Sequence, residues 1–475
     1  MFLDFISILA NVLFILNILF VFIVVFYERR NPAVTWAWMM VMLLIPFFGF
    51  IIYLILGLDS RKVRAFYRKV DNDNEIYQHF LEGHITTQAT ADNPLVNLNT
   101  ITGQSALSQH NKLALFHDGN AKFESLLDDI KKAKHFIHLE YYIVRQDSLI
   151  LRILDVLTQK ANEGVEIRFL MDGMGCRKTS KKIFMPLQKA GGQIAFFLPT
   201  RFMRINFRNH RKLAIIDGQI AYLGGLNIGE EYLGAVKRYG YWRDSHIRIK
   251  GEAVHPIQLR FVMDWNFCCQ INERIPKRDE KYFPSLTQCY SAHNIGVQIV
   301  SSGPDTAWPS VQYAYAKMIT EAKESIYIQS PYFVPDDNIL ESIRIAALSG
   351  VNVKIIIPGN PDHPFVYWAA LSYLNELLRA GVKCYQYTKG FIHSKLIIVD
   401  GFVTSVGTAN MDVRSFKLNF ETNAFIYDSQ TASDFEAIFI QDLKDSTEIT
   451  LEWYRNLSKT AKIKESISRL LSPLL

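Results

Sequence analysis

Two stretches of this sequence are near copies of one another, "HRKLAIIDG" at 210–218 and "HSKLIIVDG" at 393–401. Each has an apolar middle, which is typical of a buried strand, and ends in Asp-Gly, a strong turn signal. Each begins with His-x-Lys, and side chains at positions i and i+2 of a strand point to one face. We therefore expect His210 to project beside Lys212, and His393 beside Lys395.

The two copies lie inside a longer duplication. "KAKHFIHLEYYIV" (132–144) is echoed by "EAKESIYIQSPYFV" (321–334), and a helical pattern and a further strand follow each of them. The separation is 189 residues between Ala133 and Ala322, and 183 between His210 and His393. A repeat unit of this size indicates a duplicated domain, and strands that alternate with helices predict an α/β sheet covered on both faces.

The recurring residues point to phosphoryl chemistry. Asn227 and Asn410 each follow ten residues after the aspartate of their copy. Two imidazoles, two ammonium groups and two amides would form a cationic pocket in which lysines and asparagines hold the oxygens of a phosphodiester. One neutral imidazole can attack phosphorus while the other protonates the leaving alcohol. Such a site needs no metal or cofactor, and the lysine beside each histidine disfavours a metal because ammonium does not ligate.

Several carboxylates are candidates to support the histidines. Asp217 and Asp400 lie seven residues after each histidine, in the opposite strand register, and are interpreted as orienting or turn residues. Asp244 in "WRDSHIRI" and Glu421 in "NFETNAFI" either fix the second imidazole nitrogen or are ordinary solvated strand carboxylates. Glu140 in "HLEYYI" is a further pocket candidate, although its repeat partner is Gln329.

Two HxKxxxxD motifs, each followed by glycine and asparagine, resemble the phospholipase D superfamily over about 106–475. The resemblance implies two duplicated α/β/α sandwich lobes packed face to face, with both motifs in one active site and a phosphatidyl-histidine intermediate. It also implies the following catalytic residues: His210, Lys212, Asp217, His393, Lys395 and Asp400. In this interpretation the phosphate-binding residues are Lys212, Asn227, Lys395 and Asn410.

Further segments are similar to bacterial cardiolipin synthases. They are "ERRNPAVTWAW", "GGLNIGEEYLG", "NMDVRSFKLNFE" and the terminal "SRLLSPLL". The resemblance implies that two phosphatidylglycerols give cardiolipin and glycerol, with His210 as the nucleophile by family habit. The alternatives are a membrane-bound phospholipase D-type hydrolase, and a phosphodiesterase or nuclease with the same motifs. Nucleic acid is not expected as a partner, because the sequence has no long basic stripe.

Composition adds only broad limits. The chain has 475 residues, 49% of them hydrophobic, and a formal net charge of +6, which favours anionic surfaces or substrates without naming one. The five cysteines include no CxxC pair, so neither a disulfide framework nor a cysteine zinc site is expected.

The N-terminus predicts a membrane anchor. The segments 5–26 and 33–58 contain no charged residue, and about 20 apolar residues span a bilayer. We expect two transmembrane helices over 1–58, a basic juxtamembrane segment and linker over 59–105, and lobes over 106–290 and 291–475. Two arginines lie between the spans, whereas Arg61, Lys62, Arg64, Arg68 and Lys69 follow them. The positive-inside rule therefore favours a cytoplasmic catalytic part at the inner (plasma) membrane.

Two other segments bear on lipid contact. "RFMRINFRNHRK" (201–212) mixes arginines with apolar residues, and is either a lip that dips into anionic headgroups or a solvated loop. The C-terminal "IKESISRLLSPLL" (463–475) has helical apolar spacing. We expect it to pack on the body of the protein rather than insert into the membrane.

Overall fold

The computed structural model describes residues 12, 15, 18–22, 26, 32–45, 48–53, 64–84, 93–197, 207–276, 279–285 and 294–472. The chain forms two compact units. The first comprises Met1–Arg68 with Thr200–Phe207, and the second Lys69–Pro199 with Arg208–Leu475.

The helices in the described ranges are α1 Pro32–Leu44, α2 Phe48–Ile52, α3 Arg64–His84, α4 Pro94–Gly103, α5 Gly119–Lys132, α6 Ser148–Asn162, α7 Met185–Lys189, α8 Val254–Cys268, α9 Ser310–Glu321, α10 Asp337–Leu348, α11 Pro364–Arg379, α12 Val413–Lys417, α13 Ser429–Lys444, α14 Leu451–Arg455 and α15 Lys459–Leu470. The strands are β1 Asn111–Phe116, β2 Phe136–Tyr141, β3 Glu166–Asp172, β4 Gln193–Phe197, β5 Arg208–Asn209, β6 Lys212–Ile216, β7 Ile220–Gly224, β8 Tyr241–Arg243, β9 His246–Gly251, β10 Gly296–Ser302, β11 Ser325–Gln329, β12 Phe333–Val334, β13 Asn352–Pro358, β14 Lys383–Tyr387, β15 Gly390–Ile392, β16 Leu396–Val399, β17 Val403–Gly407, β18 Met411–Asp412, β19 Asn419–Tyr427 and β20 Ser446–Ile449.

The N-terminal unit has a small apolar cluster of its own. Met42 and Tyr53 are buried in it, and the Trp38 ring meets the Tyr53 ring edge-on at 5.3 Å. Among the residues that the structure describes, no helix combines the length and apolar character needed to cross a bilayer. Most of the predicted first span, the loop arginines, Arg61, Lys62 and the lip residues 201–206 lie outside the described residues.

The first lobe is built on a sheet with the order β1-β9-β7-β6-β2-β3-β4. Strand β2 alternates its side chains between the two faces. Ile137 and Leu139 join the apolar core that also includes α5 and α6. His138 points to the other face, where its ring stacks on Phe261 of α8 at 4.4 Å. The sheet is therefore covered by helices on both faces, as the alternation of strands and helices predicts.

The second lobe repeats this arrangement. Its strands run β10-β19-β17-β16-β11-β13-β14, which matches the first sheet position by position, and β20 is added at the edge. Ile326 and Ile328 of β11 face the core shared with α9, α10 and α11. Tyr327 faces the other way and stacks on Phe439 of α13 at 5.0 Å. Two α/β/α lobes of the same topology confirm the predicted duplication.

Short strands join one lobe to the other. Strand β5, which comes just before His210, pairs in parallel with the start of β19 in the second lobe. Reciprocally, β15 comes just before His393 and pairs in parallel with β8 of the first lobe. These two pairings bring the beginning of each motif to the opposite lobe.

The predicted linker over 59–105 contains helices α3 and α4. Leu95 of α4 is buried in the core of the second lobe. Asn99 of α4 donates hydrogen bonds to Gln298 and Tyr427 of that lobe. Helix α4 therefore precedes the first lobe in sequence but packs on the second lobe.

Candidate active site

The motif aspartates close the hairpins at the far end of the motif strands. Asp217 and Gly218 both have positive φ, 52° and 64°, as do Asp400 and Gly401, 50° and 58°. Positive φ at both central residues is the conformation of a type I′ turn, and the N–H of Gln219 donates to the carbonyl of Ile216 across the first of these turns. The Asp217 carboxylate accepts three backbone N–H groups from residues 134–136 at 2.8–2.9 Å, and Asp400 accepts three from 323–325 at 2.8 Å.

These contacts agree with the interpretation of Asp217 and Asp400 as orienting or turn residues, and a catalytic role for them stays a prediction. Neither aspartate is among the residues that line the cavity around His210 and His393, which is described below. Each aspartate follows the end of its motif strand, whereas the histidine precedes the start of that strand. Their carboxylates bind the backbone that leads into β2 and β11, so they fix the sheet rather than face the reacting atoms.

The two histidines exchange partners between the repeats. Nδ1 of His210 lies 3.0 Å from both carboxylate oxygens of Glu421, which belongs to the second lobe. Nδ1 of His393 lies 2.8 Å from a carboxylate oxygen of Asp244, which belongs to the first lobe. An Nδ1–H that donates to the carboxylate fixes the tautomer and leaves Nε2 available. Within the described residues, neither Nε2 makes a hydrogen bond.

The strand pairings between the lobes produce this exchange. In the β5–β19 register Asn209 lies opposite Phe420, so the next residues are His210 and Glu421. The backbone N–H of His210 also donates to the carbonyl of Phe420 at 3.0 Å. The β8–β15 register places His393 next to Asp244 in the same manner. The solvated-carboxylate alternative for these two acids is wrong, since both are fully buried.

Burial controls the charge of the imidazoles. Burial lowers the pKa of His210 to about 4, although the Glu421 carboxylate opposes this shift. Burial and the neighbouring Lys395 lower the pKa of His393 to about 4 against the pull of Asp244. Burial would raise the pKa of Asp244, but Lys395 and His393 outweigh it and lower that pKa, so the carboxylate is anionic. Both histidines are therefore neutral at pH 7.

The motif lysines lie behind the histidines. Nζ of Lys212 donates to the carbonyl oxygen of His210, and Nζ of Lys395 donates to that of His393. Both lysines are buried, and neither is among the residues that line the cavity. Burial lowers the pKa of Lys212 well below its usual value, and lowers that of Lys395 to about 8. At pH 7 Lys395 therefore keeps most of its positive charge, whereas burial opposes the charge of Lys212. Direct contact of either lysine with phosphate stays a prediction.

The glycine-rich segments around the asparagines shape the site. Oδ1 of Asn227 accepts the backbone N–H of Ile143 at 3.0 Å, and Oδ1 of Asn410 is buried without a hydrogen-bond partner in the described structure. A Cβ on Gly225 would lie 2.0 Å from Oδ1 of Asp244, so glycine is needed there. The equivalent residue of the second repeat is Thr408, whose hydroxyl donates to Glu421 at 2.6 Å.

A cavity of about 650 Å³ brings the predicted residues together. His210, His393, Asn227 and Asn410 all line it. Its two sides differ. The His210 ring meets the Tyr142 ring at 4.9 Å, and Arg208 and Arg414 line the cavity as well, so cations are available to a phosphate.

The side of His393 is aromatic. The rings of Trp242, Phe391 and Tyr332 lie 5.3, 6.0 and 6.3 Å from the His393 ring. The Tyr332 hydroxyl donates to Asp362 at 2.6 Å, and both residues line the cavity. The sequence did not indicate Trp242 or Phe391, because neither recurs as an aromatic residue at the equivalent position of the other repeat.

Glu140 does not line the cavity, which corrects its assignment as a pocket candidate. It lies opposite Leu213 in the β2–β6 register, whereas Tyr141 lies opposite Lys212. Cross-strand neighbours share a face of the sheet, so Glu140 points away from Lys212. Its carboxylate accepts from Asn209 at 2.5 Å, and burial raises its pKa well above the usual value.

A buried ion cluster lies on the Glu140 side of the motif. Arg211, between His210 and Lys212, pairs with Asp264 of α8. Asp264 lies 3.0 Å from Nζ of Lys69 in α3, and Lys69 also meets Asp305 of the second lobe at 2.8 Å. Burial opposes charge on Lys69, but the three acidic groups around it raise its pKa. Lys69 was counted among the basic residues that flank the membrane, yet it is fully buried.

In the described part of the chain, no three His, Cys, Asp or Glu side chains are grouped as ligands for a metal ion. What the cavity offers is two imidazoles with oriented nitrogens, buried positive charge and amide groups. This arrangement can bind a phosphodiester, form a bond from imidazole nitrogen to phosphorus, and move a proton through the second imidazole.

Comparison with known proteins identifies the family to which this cavity and its two histidines belong. The family model described as "Cardiolipin synthase, PLD-like domain" matches residues 126–255 and 315–443, and the model "Phospholipase_D-nuclease N-terminal" matches 15–57. The major cardiolipin synthase ClsA of Bacillus subtilis (strain 168) is 47% identical over 485 residues, covering 99% of both chains. A cardiolipin synthase of Staphylococcus aureus (strain N315) is 46% identical over 97% of this chain and 95% of that one.

A solved structure has the same fold. The phosphatidylserine synthase of Haemophilus influenzae Rd KW20 superposes with a TM-score of 0.62 at 14% identity, covering 81% of this chain and all of that one. At this identity the likeness concerns the fold alone.

Proposed function

The chain belongs to the cardiolipin synthase family of the phospholipase D superfamily, and we propose that it transfers a phosphatidyl group between two phosphatidylglycerols, giving cardiolipin and glycerol. The observation that carries the proposal is the pair of histidines at one cavity, each with its Nδ1 against a carboxylate of the other repeat. Relatives of this sequence that share nearly its whole length carry that name, which supports the choice of lipid.

In the first step Nε2 of His210 attacks the phosphorus of one phosphatidylglycerol. A nitrogen–phosphorus bond forms, the bond from phosphorus to the glycerol oxygen breaks, and His393 gives that oxygen a proton. Arg208, Arg414 and the charge of the buried Lys395 stabilise the pentacoordinate oxygens. The choice of His210 as the nucleophile follows the habit of the family.

His393 must be protonated to act as the acid, although burial lowers its pKa to about 4. A bound phosphodiester adds a negative charge next to the buried imidazole, which raises the imidazole pKa. Asp244, held anionic, stabilises the imidazolium from the other side. In the second step His393 removes the proton from the headgroup hydroxyl of a second phosphatidylglycerol. That oxygen attacks phosphorus, and the nitrogen–phosphorus bond to His210 breaks.

A membrane anchor accompanies this function in our proposal. The N-terminal unit exposes large apolar side chains, with Ile15, Phe26, Trp36, Leu44 and Phe48 each more than half exposed. Because 5–26 and 33–58 carry no charge, a lipid environment is the solvent that suits such a surface. We place two transmembrane helices in 1–58, the lobes over 106–290 and 291–475 in the cytoplasm, and an anionic lipid surface beside them. Labelling of cysteines introduced in the lobes from outside intact cells would contradict this orientation.

The test of the function is glycerol release. The purified chain with phosphatidylglycerol in detergent should release glycerol and form cardiolipin in equal amounts. Phosphatidic acid in place of cardiolipin would mean that water is the acceptor and that the enzyme is a hydrolase. His210→Ala and His393→Ala should each abolish turnover, while His135→Ala, at an exposed position, should not. Full activity in either of the first two variants would refute the two-histidine mechanism.

A further inference from the structure

Helix α15 turns its apolar face away from the body of the protein. Ile463, Ile467 and Leu470 are 58%, 51% and 82% exposed. They are spaced at i, i+4 and i+7, so they form one stripe along the helix. A surface helix in water normally turns its apolar stripe to the core and its polar face to the solvent, and α15 does the opposite.

The opposite face of α15 is polar or small, and it is the buried one. Ala461, Glu465 and Ser468 pack toward the body. The Glu465 carboxylate accepts a hydrogen bond from Tyr454 of α14. Arg469 pairs with Glu376 of α11. These polar contacts fix which way the helix faces. The segment packs on the body as expected, but through its polar and small residues rather than through its apolar stripe.

Basic residues flank the exposed stripe. At about 100° per residue, Lys464 and Lys462 lie to either side of Ile463. The ring of Trp368 lies 5.6 Å from Nζ of Lys464. On the other side, Lys462 lines a cavity of about 360 Å³ together with Arg379 and Arg455. An apolar stripe between cationic borders is complementary to a surface that is apolar at depth and anionic at its headgroups.

We propose that α15 lies flat on an anionic lipid bilayer, with Ile463, Ile467 and Leu470 at the boundary between headgroups and acyl chains and the lysines among the lipid phosphates. The proposal rests on the proposed function in one respect, since the anionic lipid would be the substrate phosphatidylglycerol. The same contact bears on the active site, because α11 carries Val366 at the cavity and Glu376 against α15. A docked α15 therefore holds α11 between the bilayer and the cavity.

The experiment uses the full chain in vesicles. An environment-sensitive fluorophore is attached at Ile467→Cys, and for comparison at Leu151→Cys, an exposed apolar position on α6 of the first lobe. Cys268, Cys269 and Cys289 are replaced by serine in both proteins. Vesicles contain either phosphatidylglycerol with phosphatidylethanolamine or phosphatidylcholine alone, with a quencher on the lipid chains or iodide in the water.

We expect the lipid quencher to act several-fold more strongly on the label at 467 than on the label at 151, and iodide to act less. This difference should appear in the vesicles that contain phosphatidylglycerol, and Lys462→Gln with Lys464→Gln should reduce it. Equal access of iodide to both labels would overturn the proposal. So would lipid quenching of the label at 467 that is as strong in phosphatidylcholine vesicles as in vesicles that contain phosphatidylglycerol. Spin labels at 467 that broaden one another would also overturn it, since they would show a second copy on the stripe.

The outcome does not depend on catalysis. The label can be measured in the inactive His393→Ala protein as well as in the native one. Loss of glycerol release with quenching intact would count against the function, whereas loss of quenching with glycerol release intact would count against the docking surface.

Discussion

The exchange of carboxylates between the repeats predicts which histidine each acid serves. Glu421→Gln keeps the size of the side chain but removes the charge that faces Nδ1 of His210. A hydrogen bond to a charged group contributes about 1.5–3 kcal/mol. If that amount is lost from the transition state, the rate of glycerol release should fall about 10- to 150-fold, since about 1.4 kcal/mol is tenfold in rate. Asp244→Asn should cause a similar loss through His393.

Both effects can be assigned to one imidazole by chemical modification. Diethyl pyrocarbonate reacts with neutral imidazole nitrogen, and peptide mass spectrometry separates the peptides that contain His210 and His393. Loss of the carboxylate on Nδ1 lowers the nucleophilicity of Nε2. Glu421→Gln should therefore slow the modification of His210 and leave that of His393 unchanged, and Asp244→Asn should do the reverse.

The control is Glu448→Gln, an exposed glutamate on β20 of the second lobe, which should change neither rate. Two results would refute the reasoning. One is that Glu421→Gln slows the modification of His393 rather than His210, because the acids would then serve their own repeats. The other is that glycerol release stays within a factor of two of the native rate.

Three other predictions follow from the same contacts. The value of kcat/KM should rise with pH through about 4, as His210 loses its proton and becomes a nucleophile, and fall through about 8, as Lys395 loses its charge. Lys395→Arg should move the upper limb to higher pH, and an unmoved limb would contradict the assignment. Gly225→Ala should lower glycerol release at least tenfold, because the new Cβ would meet Asp244, and native activity would disprove that need for glycine. Lys69→Met should destabilise the fold by about 3–5 kcal/mol, because the buried Asp264 carboxylate loses one of the cations that compensate it. The control is Lys131→Met at an exposed position, and an equal urea midpoint in the two variants would refute the role of this cluster.

Much of the site could be predicted because its strands, turns and reacting residues follow from sequence patterns that extend over only a few residues. The apolar run of "LAII" followed by Asp-Gly specifies a strand and a hairpin turn, and the turn has the positive φ values that this pair favours. The recurrence of His210 and Lys212 as His393 and Lys395 identified both motifs, since packing alone does not explain why they return together. The order of the strands is the same in both lobes, as a duplication predicts.

Other residues carried a misleading pattern. Glu140 is a charge in an apolar strand, which suggested the pocket, but the register of β2 against β6 turns it to the other face. Lys69 is one of several basic residues after the apolar segments, and only its neighbours Asp264 and Asp305 distinguish it from a solvated lysine. The stripe of α15 has the spacing of a core helix, and sequence spacing does not state which side of a helix meets the body.

The sequence by itself determined the duplicated α/β lobes, the two histidines and the phosphodiester chemistry, because strand period, turn residues and repeated spacing act over a few residues. Only the tertiary structure decided that Glu421 serves His210 and that Asp244 serves His393. The spacing along the chain is equally compatible with pairing inside each repeat. The exchange arises where β5 meets β19 and β15 meets β8, and a contact between two lobes depends on which surfaces pack together rather than on distance along the chain.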